Sequence, residues 1–184
     1  MLIIEMTDED FKIETFEGET CPLCNQKTLT LMESERTIPY FGRVILFSMN
    51  CSNCHYHKSD VEIPERRDPV KYTLTVETED DLKARVIKSA EATVKIGKVA
   101  TIEPGIDSNG YISNVEGVIQ RLKNQLEGML NTEDKPEVIK KIKSHLKKLR
   151  RVLWGSDKIT ITISDPSGNS AIISDKAQMT KIKK

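Results

Sequence analysis

The chain has 184 residues, with 28 lysines and arginines balanced by 28 aspartates and glutamates, and only 5% aromatic residues. That length suits one large domain or two small ones, and zero net charge with few aromatics argues against a general nucleic-acid binder. No run approaches the roughly 20 apolar residues that span a bilayer, and Met1 to Asp10 turns acidic where a secretory leader would be basic, so the expectation is a cytosolic protein with no membrane partner.

Residues 1–20 are mixed and acidic, with Gly18 just ahead of the first cysteine. The four cysteines then fall in two Cys-x-x-Cys pairs, Cys21 with Cys24 and Cys51 with Cys54, with none to spare. Between the pairs, Thr28 to Arg36 and Arg43 to Asn50 read as strands, separated by Ile38-Pro39-Tyr40-Phe41-Gly42, where Pro and Gly interrupt the pattern. A strand–turn–strand brings the two pairs face to face. In a reducing compartment such pairs favour metal over disulfides. Four thiolates fill the tetrahedral shell that zinc prefers and leave no position for substrate, so the site reads as one structural zinc. Zinc binding of this kind is coupled to folding by about 10–16 kcal/mol in model peptides. The competing readings are buried free cysteines or a redox Cys-x-x-Cys. His55 and His57 follow the second pair and read as exposed strand residues, since four thiolates already satisfy the ion.

Pro64 to Pro69 is a charged, proline-bounded connector, and the domain boundary is placed there. Tyr72 to Glu77 alternates with period two, as a half-buried strand does. Arg85 to Lys88, Glu91 to Ile96 and Val99 to Glu103 are further short β-type runs, punctuated by Gly97, Pro104 and Gly105. The pattern then turns helical. Ser113 and Glu116 suggest a capping box, and Val115, Val118, Ile119, Leu122, Leu126, Met129 and Leu130 make one apolar stripe. After a polar turn at 131–135, Pro136 fits a first helical turn. A second stripe follows through Val138, Ile139, Ile142, Leu146, Leu149, Val152 and Leu153, ending at Gly155. Two amphipathic helices so closely joined predict an antiparallel hairpin. Trp154 is expected to plug the hairpin onto the sheet, and His145 to pack at the edge of the second stripe. Lys158 to Ser164 alternates cleanly, Asp165 to Asn169 is a turn, and Ser170 to Ser174 is the returning strand. Residues 175–184 read as a loose tail.

Four segments in this order resemble the ZPR family of zinc-finger proteins. They are Cys21-Pro22-x-Cys24 with Ile38-Pro39-x-Phe41 and Cys51-x-x-Cys54, then Lys88 to Val94, then Asn114-Val115-Glu116-Gly117-Val118-Ile119, then Asp165-Pro166-x-Gly168-Asn169-Ser170. The resemblance implies a mostly β fold with a helical hairpin: a four-cysteine zinc ribbon followed by a double-stranded β-helix, jelly-roll-like, domain. The implied layout is an N-terminal segment and ribbon over 1–63, a connector over 64–69, a β domain over 70–174 with the hairpin inserted at about 113–154, and a flexible tail over 175–184. Eukaryotic members carry the module twice, and a single copy resembles the archaeal form. The chain departs from the family at His55, where a glycine commonly follows the last cysteine, and near Ile96-Gly97. The resemblance also implies a protein partner, translation elongation factor one-alpha or its archaeal counterpart, with a role in its folding.

Two surfaces are candidates for such a partner. Lys140, Lys141, Lys143, Lys147, Lys148, Arg150 and Arg151 make the second helix strongly basic. The ordinary fate of such a run is a solvated face, and the functional reading is a docking surface for an acidic partner, here Lys143, Lys147 and Arg150. Ile38, Tyr40 and Phe41 at the ribbon turn either pack back on the β domain or contact the partner. No Gly-x-Ser-x-Gly elbow, phosphate loop, dinucleotide fingerprint or His-Glu-x-x-His motif occurs. Residues 70–174 hold only His145, too few histidines for a cupin-type metal centre. The reading is therefore a non-enzymatic, zinc-binding adaptor or folding helper. A nucleic-acid-binding zinc ribbon of translation or transcription is the alternative.

Overall fold

The computed structural model describes residues 12–38, 42–105 and 108–182. The chain divides into two compact units, Met1–Arg66 and Arg67–Lys184.

The first unit is a four-stranded antiparallel sheet in sequential order. Its strands are β1 (Lys12–Glu19), β2 (Leu29–Ile38), β3 (Gly42–Cys51) and β4 (His57–Glu62). The β2–β3 hairpin runs in unbroken register from Leu29↔Cys51 to Ile38↔Gly42. That register carries the second cysteine pair back beside the first. The sequence reading of two strands here extends to four, because β1 and β4 add at the two edges. Little apolar surface is buried at the cysteine end: Cys21, Leu29 and Cys51 form the cluster, with Cys24, Met49, Cys54 and Tyr56 packed against it. So small a core does not hold a lobe without help.

The second unit opens with β5 (Val70–Val76), followed by the short helix α1 (Glu79–Lys83) and the strands β6 (Arg85–Lys88), β7 (Thr93–Ile96), β8 (Ala100–Ile102) and β9 (Tyr111–Asn114). Two helices follow, α2 (Val115–Leu130) and α3 (Pro136–Leu153), and then β10 (Ile159–Asp165), β11 (Ala171–Ile173) and β12 (Gln178–Lys181). A five-stranded sheet has the order β12-β5-β10-β7-β8, and a three-stranded sheet the order β11-β6-β9. Every pairing is antiparallel. β10 lies between β5 and β7 and turns Ile159, Ile161 and Ile163 into a core that also takes in Leu74, Val94, Val118, Ile119, Leu146 and Leu149. The hairpin's apolar stripes thus complete the core of the β domain.

Three local expectations are corrected. The cap of α2 is Asn114, the last residue of β9, whose Oδ1 accepts the Gly117 amide at 2.8 Å; Ser113 lies one residue earlier in β9, opposite Val86. Residues 178–181 are not a loose tail but an edge strand on β5, tied further by Lys181 to Asp68 at 2.8 Å and by Lys176 to Asp81 at 2.8 Å. Trp154 does not plug the hairpin onto the sheet: it caps α3 and is 76% exposed. The helical period explains this, because Trp154 follows Lys143, Lys147 and Arg150 at steps of four, three and four, which is the basic stripe rather than the apolar one.

Candidate metal centre

Each cysteine pair sits in a tight knuckle built by its own backbone. The Cys21 amide donates to the Gln26 carbonyl at 2.9 Å and the Asn25 amide returns to the Cys21 carbonyl at 2.9 Å; Cys51 makes the equivalent bonds with Tyr56 at 2.9 Å and His55 at 3.0 Å. The residue after each pair, Asn25 or His55, has φ +58, the left-handed region that L-residues rarely adopt. The knuckle therefore explains why a glycine suits position 55. The two knuckles are also stitched to each other, since the Ser52 amide donates to the Thr28 carbonyl at 3.1 Å.

The four sulfurs lie within 4.8 Å of one another. Cys21 to Cys54 is 3.6 Å and Cys24 to Cys51 is 3.7 Å. A zinc ion with Zn–S bonds of about 2.3 Å has tetrahedral edges of about 3.8 Å, so the donor set fits zinc. It does not fit disulfides, whose sulfurs sit about 2.0 Å apart, and all four cysteines are free. Electrostatics point the same way. The Gln26 amide, then the Asn53 side chain, lower the Cys24 thiol. The Thr28 hydroxyl, and then amides of the second knuckle, bring Cys51 down to about 6. Cys54 receives the Tyr56 amide, yet burial and its three sulfur neighbours push it up to about 12. Four thiolates at these spacings need a cation among them. Zn²⁺ would supply it, and its charge favours the thiolate form of its ligands.

His55 and His57 are exposed, and His57 Nδ1 is engaged 2.7 Å from Asn50 Oδ1. Among the described residues no other cluster of His, Cys, Asp or Glu could hold a metal. His145 is half-buried on α3, where burial, then Lys141, lowers its pKa.

Of the candidate partner surfaces, Tyr40 and Phe41 lie outside the described residues, and Ile38 is described only as the last backbone position of β2. Lys143, Lys147 and Arg150 share one face of α3, together with Arg151 and Trp154, and line a groove against Leu130 and Leu146. Sequence reasoning found the cations and missed the groove, although the spacing of Trp154 from them was readable.

Two of the segments that carry the family resemblance meet in the second unit. Asp165, fully buried, accepts the Ser167 amide and hydroxyl at 2.7 Å each, the Asn169 amide at 2.9 Å and the Ser170 hydroxyl at 2.6 Å. Ser170 Oγ in turn accepts the Ser89 amide at 2.9 Å. The Lys88–Val94 and Asp165–Ser170 segments thus meet in one buried polar network that ties β6 to the turn after β10.

Comparison with known proteins agrees with this architecture. The ZPR1 zinc-finger domain matches residues 12–66 and the ZPR1 jelly-roll domain matches residues 80–184. A ZPR1-like protein of Pyrococcus horikoshii is 37% identical over 94% of this chain and 80% of its own length. A ZPR1-like protein of Methanocaldococcus jannaschii is 35% identical over 89% of this chain and 83% of its own. The zinc finger chaperone zpr1 of Schizosaccharomyces pombe is 33% identical over 73% of this chain, which spans 30% of that protein.

Proposed function

The chain belongs to the ZPR1 zinc-finger family, and from that premise we propose that it is a zinc-dependent protein-binding adaptor or folding helper for an elongation factor one-alpha type GTPase. The observation that carries the reading is the closed four-thiol centre, which leaves zinc no open coordination position and so fits a structural ion that stiffens a small lobe. The relatives support a binding role, being named zinc-finger proteins or, in one case, a zinc finger chaperone. The choice of partner follows the family resemblance. The cytosol is the matching location, and among the described residues no helix is long and apolar enough to cross a membrane.

The proposed contact points are the ribbon turn, through Ile38, Tyr40 and Phe41, and the hairpin's basic face, through Lys143, Lys147 and Arg150. Apolar side chains supply most of the affinity at protein interfaces, and a charged face steers and orients an acidic partner. The test is calorimetric titration of zinc-loaded protein with purified elongation factor. Saturable binding is expected. Absence of binding by folded, metal-loaded protein would contradict the partner.

A further inference from the structure

We propose that the groove bounded by Leu130, Leu146 and Trp154 is a socket for a short acidic segment of a partner protein that inserts one bulky apolar side chain.

The groove has a volume of about 520 Å³ and lies wholly on the helical hairpin. Leu146 is buried at its floor, Leu130 is half-buried at its wall, and Trp154 stands at one end. A tryptophan this exposed keeps a large apolar surface in water, and such residues are the commonest anchors of protein interfaces once covered. Lys143, Lys147, Arg150 and Arg151 supply the rest of the lining.

The cations are unequally satisfied. The ion pairs of the hairpin among the described residues are Lys123 with Glu127, Arg150 with Glu127 at 3.1 Å, and Arg151 with Asp157 at 3.7 Å. Lys143 and Lys147 enter none of them. They stand four apart on α3, as do Lys147 and Arg151, and like charges at that spacing destabilise a helix. A carboxylate from outside relieves that repulsion, and the apolar floor between the cations accepts a leucine or phenylalanine from the same segment. Charge and shape thus select one occupant, acidic with an apolar centre.

Nucleic acid and membrane fit less well. The groove has one aromatic residue over an aliphatic floor, so successive bases have nothing further to stack on. A bilayer takes a broad apolar face, whereas here only Trp154 projects and Leu146 is recessed.

Trp154 is the sole tryptophan of the chain, so its fluorescence reads this groove alone. The full, zinc-loaded chain is titrated with an acetylated peptide of aspartates and glutamates around two central leucines. Parallel titrations use the same peptide with serines for the leucines, phosphatidylglycerol vesicles, and poly(U). The expected result is a saturable blue shift with the leucine peptide. The apparent affinity should fall about tenfold without the leucines, and about tenfold in Lys143→Glu/Lys147→Glu and less in Lys143→Gln/Lys147→Gln, with unchanged circular dichroism and zinc content. No shift with the leucine peptide, a shift indifferent to the charge changes, or a shift confined to vesicles or RNA would overturn the proposal. The inference rests on the adaptor reading only for the existence of a protein partner. Elongation factor binding without peptide binding would remove the socket and leave that reading intact, and the converse would remove the named partner alone.

Discussion

The hydroxyl of Thr28 lies 3.2 Å from the sulfur of Cys51. Thr28 stands immediately before β2, and its carbonyl also accepts the Ser52 amide and lies 3.5 Å from the Ser52 hydroxyl. One residue of the first half of the ribbon therefore orients a ligand of the second half, supporting a metal ligand through its outer hydrogen bond.

Thr28→Val keeps the size of the side chain and deletes the hydroxyl. It should lower zinc affinity by about 10–100-fold and leave the β domain unchanged. Competition with a chromophoric chelator measures the first, and the thermal transition of the β domain the second. Unaltered affinity would mean that the hydroxyl has no role in holding the thiolate.

At position 55 the structure holds a histidine at φ +58. His55→Gly removes the left-handed strain of about 1 kcal/mol or slightly more, partly offset by the greater entropy of an unfolded glycine. The expected outcome is zinc-loaded ribbon stability equal to or above that of the natural chain, read by urea unfolding. A clear loss would show that the imidazole makes a needed contact.

Gly168 has φ +74, and a Cβ there would lie 2.3 Å from the Asp68 carbonyl oxygen and 2.8 Å from the Arg67 carbonyl carbon. The Arg67 amide meanwhile donates to the Ser167 carbonyl at 2.9 Å, so the backbone cannot move aside without breaking that bond. Gly168→Ala should destabilise the β domain by about 2–4 kcal/mol. Denaturant midpoints decide it, and a loss below about 1 kcal/mol would contradict the close approach.

Stability should also fall in acid. Burial alone would raise the Asp165 carboxyl, but the Ser170 and Ser167 hydroxyls, with Ser89 and the Ser167 amide, outweigh it and hold the group below its ordinary value. Asp81 is also lowered: burial opposes this, and Lys176 with the Glu77 and Thr78 amides overcomes it. A carboxylate whose folded pKa is depressed contributes stability that is present above its unfolded value, about 3.9, and is lost as pH falls toward the folded value. Unfolding free energy should therefore decline below about pH 4, and Asp165→Asn should lower neutral-pH stability while flattening that decline. An unchanged acid slope would assign the effect elsewhere.

Much of this was readable in the residues. Cys21, Cys24, Cys51 and Cys54 announce their chemistry because metal spacing is local, and the helical stripes and β10 show because each buries one face at a fixed period. Ile142, Leu146, Leu149 and Val152 are buried as their spacing implies. β1 and β12 were not readable: every described side chain from Ile13 to Glu19 and from Gln178 to Lys181 is exposed, so edge pairing leaves no apolar alternation. The cap of α2 is ambiguous by one in the sequence because Ser113 and Asn114 are both competent caps, and only the bond from the Gly117 amide to Asn114 Oδ1 decides between them. The size of Trp154 suggests a core position, whereas its helical phase puts it with Lys143, Lys147 and Arg150 on the exposed face. The groove escaped notice because it joins Leu130 to residues 13 to 24 positions away.

One zinc in the four-thiol centre organises the ribbon, and elemental analysis of freshly purified, never-chelated protein measures it. The expected result is one zinc per chain, and none in a Cys51→Ser variant whose ribbon amides exchange freely while the β domain stays folded. A metal-free natural chain with an ordered ribbon would contradict it.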